Sequence, residues 1–203
     1  MEISKLTELQ LDAIREIGSI GAGHAATALS QLTGKQIDIS VPSLEIVPCT
    51  EVPQVFGGPE RLVGAVYARI LGDISGNILF MVDRESSLAL VDLMRGRTIG
   101  TARTFGHEEE RQVTHTASVL IAAYIASIAR LTDMDILPSS PMFALDMAGA
   151  ILQVAALEAS LSSDQAILVR TRFSDEGTSV DGAPFFLPDS AGLEVILGRL
   201  GVK

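Results

Sequence analysis

The stretch "REIGSIGAGHAATALSQLTG", residues 15–34, decides the fold. Its core, Gly21-Ala22-Gly23-His24-Ala25-Ala26, has the glycine spacing of a dinucleotide-binding turn. Such a turn needs a strand before the glycines and a helix that opens on them, so that the helix N-terminus meets a pyrophosphate. Here the glycines fall in the middle of a helical pattern. Ile14, Ile17, Gly21, Ala25, Ala28 and Leu32 recur at steps of three and four, and at about 100° per residue they share one face. Gly34 closes the pattern, and the alternating "QIDISVPSLEIV" (36–47) opens a strand. The stretch is one long helix with a buried face, and no nucleotide cofactor is expected.

Glycine inside a helix costs about 1 kcal/mol relative to alanine, so Gly18, Gly21 and Gly23 need a packing or access reason. Gly21 and Ala25 on the buried face let a second backbone approach closely. On the opposite face the same wheel gathers Asp12, Glu16, Ser19 and Gly23. That strip offers two carboxylates, a hydroxyl and a flat spot where a partner can dock; the plain alternative is a solvated helix face.

A chain of 203 residues with 47% apolar side chains buries a core without covalent staples. Twenty-five acidic against fifteen basic residues disfavour nucleic acid and anionic membrane as partners, since both attract basic patches. Three lysines among those fifteen, with the acidic excess, fit a salt-rich cytoplasm or simply a GC-rich genome. The single Cys49 excludes an intrachain disulfide and a cysteine-rich metal cage. The longest strongly apolar run, "ASVLIAAYIASIA" (117–129), is 13 residues, the length of a buried helix rather than a membrane span, and a cytoplasmic location is expected.

Residues 114–141 repeat the plan of residues 16–42 at an offset of 99, pairing Ser19 with Ser118, Leu29 with Ile128, Leu32 with Leu131, Thr33 with Thr132 and Pro42 with Pro141. In this second helix Val113, Leu120, Tyr124 and Leu131 form the buried face, and Arg111, His115, Ser118 and Ala122 the outer strip. Further on, "GNILFMVDRESSLALVDLM" (76–94) and "GAPFFLPDSAGLEVILGRL" (182–200) correspond at an offset of 106. The expectation is one α+β domain, residues 1–203, made of two repeats (about 8–98 and 107–203) related by a pseudo-two-fold axis. Two long helices then pack on a mainly antiparallel sheet that includes strands at 62–71, 77–82 and 166–173. Residues 52–62 read as a loop, 147–163 as a short helix and "HEEER" (107–111) as the acidic start of the second long helix.

Asp12, Glu16, Ser19 and Pro42 hold the spacings of a known signature: Asp or Ser, three residues, Glu, two residues, Asn, then 22 residues and Pro. The chain thereby resembles the CheC / CheX / FliY family of chemotaxis phosphatases, with Ser19 in place of the asparagine. The length and the duplication are similar to those of the CheC branch, which carries the motif twice. The second copy here falls at Arg111, His115, Ser118 and Pro141, and only its proline survives.

The resemblance implies hydrolysis of the phosphoaspartate of a CheY-type response regulator, with a CheD-type receptor deamidase as a further partner. In the family the glutamate pairs with a lysine of the regulator and the asparagine orients the attacking water. The Mg²⁺ sits on the regulator, so the chain needs no metal or cofactor of its own. Glu16 and Ser19 are then the catalytic pair, Asp12 and Gly23 contribute to binding, and His115 and Ser118 mark a degenerate second site. A hydroxyl is shorter than an amide and lacks its fixed donor and acceptor, so the expected phosphatase is weak. The alternative is a non-catalytic adaptor that binds CheY or the deamidase. His24 is expected only to cover a neighbouring turn, and Cys49 has no spacing that makes it a nucleophile.

Overall fold

Helix α1 (Glu8–Thr33) starts at a capping box: Thr7 Oγ1 accepts from the Gln10 amide at 3.3 Å, and the Gln10 side chain accepts from the Thr7 amide at 2.9 Å. It stops at Gly34, whose φ of 68° lies in the left-handed region that glycine adopts without strain. The helix runs unbroken through its glycines. The computed structural model describes residues 6–158, 165–175, 178–188 and 190–202.

After α1 come β1 (Asp38–Pro48), a 3-10 turn (Val52–Phe56), β2 (Leu62–Gly72), β3 (Gly76–Asp83) and α2 (Arg84–Met94). The second half contains α3 (His107–Thr132), β4 (Ile136–Pro138), β5 (Met142–Met147), α4 (Ala148–Glu158), β6 (Gln165–Asp175), β7 (Thr178–Pro188) and α5 (Ser190–Arg199). The fold is α+β. Helices α1 and α3 have 26 residues each and begin 99 positions apart.

The described strands form one antiparallel sheet in the order β1-β6-β7-β3-β2-β4, with β5 also paired to β2. The strand after each long helix therefore pairs with the other half of the chain: β1 with β6, and β4 and β5 with β2. Sequence matching alone had no access to that exchange.

The inner strands β2, β3 and β6 are buried on both faces over most of their length, which accounts for runs such as "NILFMV". Val66, Ala68, Ile78, Phe80, Ile167 and Phe173 face the main core with α1 and α3, where Phe80 and Phe173 meet edge to face at 6.0 Å. Ala65, Tyr67, Leu79, Met81 and Leu168 face the other way, under α4 and the 3-10 turn. Among the described helices only α3 is long and apolar enough to pass for a membrane span, yet Val113, Ala117, Leu120, Ile121, Tyr124 and Ile125 are buried inside the protein.

Several expectations need correction. Leu32 and Leu131 lie on the apolar faces but are 59% and 42% exposed, although Leu29, Ile128 and Thr132 near them are buried, so the cover over the end of each helix is narrower than its apolar face. Gln10, Gly18, Ala22 and Leu29 are buried in α1 instead. Residues 52–62 contain a 3-10 turn rather than only loop, and the helix expected over 147–163 is α4 up to Glu158, its last five positions lying outside the described residues.

The connection between the halves is tied down by a buried charge. Asp92 on α2 is 0% exposed, and its carboxylate accepts from the amides of Thr101 at 2.9 Å and Ala102 at 3.1 Å. Removing it leaves those amides unpaired beside a cavity. Asp92→Ala is expected to cost about 2–3 kcal/mol, read as a lower urea midpoint with an unchanged slope.

Candidate functional site

The outer strip of α1 is open to solvent. Asp12, Glu16, Ser19 and Gly23 are all exposed, on the face opposite Ile14, Ile17, Gly21 and Ala25. A side chain added at Gly23 would meet nothing within 4 Å, so the backbone there is accessible from outside.

The four residues are not equivalent. Asp12 is held by the guanidinium of Arg15, one turn along. Glu16 forms no ion pair or side-chain hydrogen bond among the described residues, so its charge is available to a partner cation. Ser19 Oγ donates to the Arg15 carbonyl at 3.0 Å. That bond uses the hydroxyl's only hydrogen and leaves its lone pairs facing outward as acceptors. Asp12 and Arg15 stand at a spacing that pairs opposite charges on a helix, a signal present in the sequence and overlooked there.

The corresponding strip of α3 has a different character. Arg111, His115 and Ala122 are exposed, whereas Ser118 is half-buried and donates to the Thr114 carbonyl at 2.6 Å. The expected exposure of Ser118 is thus only partial, since its hydroxyl turns back onto the helix. Before Arg111 stands Glu108, whose carboxyl lies below its usual range through the hydrogen bond from Arg95 and the charges of Arg95, Arg111 and Arg97. Arg95 reaches Glu108 at 3.1 Å from the end of α2, a contact that no local spacing reveals. The α1 strip presents a free carboxylate where the α3 strip presents the Arg111 guanidinium and a histidine.

His24 does more than cover a turn. Its Nδ1 lies 3.1 Å from Ser127 Oγ on α3. Ser127 Oγ also lies 2.8 Å from the Ala123 carbonyl, and when it donates there it accepts from Nδ1–H. The histidine thereby links the two long helices, from an exposed position on α1 to a buried serine of α3. Cys49 sits in the turn after β1 and packs against the cluster under α4 and the 3-10 turn, on the other face of the sheet from the main core with α1 and α3. No group of three or more metal-ligating side chains gathers among the described residues.

The model of the CheC-like family matches residues 9–46, which span α1 from its first turn through most of β1. Over 202 residues the chain is 30% identical to the CheY-P phosphatase CheC of Bacillus subtilis, covering 98% of this chain and 97% of that one. The chain belongs to the CheC-like family. It is also 37% identical over 95 residues to the flagellar motor switch phosphatase FliY of Bacillus subtilis, an alignment that covers 47% of this chain and 24% of FliY. In fold it is similar to Thermotoga maritima FliY, with a TM-score of 0.80 over 97% of this chain and 98% of that one at 18% identity.

Within this CheC-like chain, the family match takes in Asp12, Glu16, Ser19, Gly23 and Pro42 but not the α3 strip. Pro42 lies inside β1, where the register against β6 shifts between Ser40 and Ser43.

Proposed function

We propose that this chain hydrolyses the phosphoaspartate of a CheY-type response regulator, with the outer strip of α1 as its working surface. The observation that carries the reading is the pairing of an ion-pair-free Glu16 with Ser19 one turn on, both exposed on one rigid helix. A likeness in sequence over nearly the whole chain to a protein named as a CheY-P phosphatase supports it.

Hydrolysis of an acyl phosphate asks for positioning and charge stabilisation more than for covalent help. Glu16 is suited to hold a lysine of the docked regulator. Ser19, with its own hydrogen bound to Arg15, is suited to accept a hydrogen from the attacking water and so to orient its lone pair. Asp12, already paired with Arg15, contributes to docking, and Gly23 leaves room for close approach. Mg²⁺ carried by the regulator neutralises phosphate charge when bound there. On the strip of α3, His115 offers that lysine no carboxylate and Arg111 adds a positive charge, so this strip is the inactive member of the pair.

The test is the rate of phosphate loss from a phosphorylated CheY-type regulator with native protein and with Glu16→Ala. Native protein is expected to accelerate it, and Glu16→Ala to remove about 10²-fold of that gain or all of it. Equal rates with and without native protein would overturn the phosphatase reading.

One observation favours a second reading. Ser19 spends its donor on its own helix and cannot supply both partners that an amide supplies. On that reading the chain is a cytoplasmic adaptor that docks the regulator, or a CheD-type receptor deamidase, without hydrolysis. Saturable binding with no acceleration would establish it.

A further inference from the structure

The outermost strands of the sheet are β1 on one side and β4 with β5 on the other. Each is broken at the matching place. From Ser40 to Ser43, three steps of β1 span two of β6, Arg172 to Arg170. From Pro138 to Met142, four steps span three of β2, Ile70 to Tyr67. Both breaks insert one extra residue into the edge strand, and they contain Pro42 and Pro141, which stand 99 positions apart. Each edge is left as a short piece followed by a six-residue piece, Ser43–Pro48 and Met142–Met147.

An open edge is a row of unpaired amides and carbonyls that another strand can extend. Proline removes a donor, and a one-residue bulge twists the strand and shifts its pairing. The hazard is greater at β5, where Met142, Leu145 and Met147 are 56%, 36% and 46% exposed. At β1 the six-residue piece carries Glu45, paired with Arg170 at 2.8 Å. We propose that the two prolines are edge stops, which keep the sheet from pairing with the edge strand of a second copy. The second strip has no acidic pair like Asp12 and Glu16 of the first, yet a proline stands at the matching place of both edges. A proline at both edges beside strips of unlike chemistry fits a role in the edges rather than on the helices.

The experiment is sedimentation of the full chain over a range of concentrations for native protein, Pro42→Val, Pro141→Val and the two lysine replacements, each checked by circular dichroism. Valine restores a donor and favours strand, whereas lysine restores the donor but guards an edge by charge. Pro141→Val is expected to raise the average mass at least twofold as concentration rises, Pro42→Val by less, and Pro141→Lys to match native protein. Overturning results are valine variants with native mass at every concentration, or lysine variants that associate as valine variants do. Loss of folded signal by valine and lysine alike would also overturn the proposal, since the prolines would then be required inside the sheet. None of these outcomes depends on phosphatase activity.

Discussion

Ser19→Asn is expected to raise the rate of regulator dephosphorylation by about 10- to 100-fold, with little change in regulator affinity. Native Ser19 offers only acceptor lone pairs, because its hydrogen is bound to the Arg15 carbonyl at 3.0 Å. Asparagine extends one heavy atom further and carries a donor and an acceptor in a fixed plane. A correctly placed polar group that acts in the transition state is worth about 10²–10³ in rate, so part of that range is recoverable by restoring it. Position 19 is exposed, and asparagine there costs the helix a few tenths of a kcal/mol at most. Effects on rate and on folding are therefore separable. Tight binding with no acceleration by Ser19→Asn would mean that Glu16 and residue 19 do not meet the phosphoryl site together, and would leave the adaptor reading standing.

The elements that carry this site were legible because their signals are local. The step of three and four from Ile14 to Ala25 fixed the buried face of α1, and with it the exposure of Asp12, Glu16 and Ser19. The same periodicity failed at Leu32 and Leu131, since a wheel gives direction around an axis but not how much of the apolar face a neighbour covers. Contacts between distant segments stayed hidden. Arg95 reaches Glu108 across the link between α2 and α3, and His24 reaches Ser127 across the two halves. The pairing of β1 with β6 needed the sheet itself, because a self-match shows which segments correspond and says nothing about which of them touch.

Gly21 and Gly23 look alike in the sequence, and their replacements are expected to change stability in opposite directions. A Cβ on Gly21 would lie 2.7 Å from Tyr124 Cδ1 and 3.1 Å from Tyr124 Cα. The ring carbon is anchored close to its own backbone, so relief requires α3 to move away from α1. Tyr124 is itself held in place: it is 5% exposed and belongs to the main core cluster. Overpacking of this kind costs about 1–3 kcal/mol for one methyl, against about 1 kcal/mol gained in helix propensity. Gly21→Ala is thus expected to be destabilising by up to about 2 kcal/mol, and Gly21→Val by more, since valine adds two branches to the clash and loses propensity. At Gly23 no atom lies within 4 Å of the added carbon, so Gly23→Ala gains propensity alone and stabilises by up to about 1 kcal/mol. For a domain of this size each kcal/mol moves the melting temperature by about 2–4 °C, which places the two alanine variants on either side of native protein. Equal melting temperatures for Gly21→Ala and Gly23→Ala would show that the contact between α1 and α3 is loose enough to absorb a methyl. The wheel assigned Gly21 to close packing and Gly23 to access by a partner, and this comparison separates those two uses of glycine within a single turn.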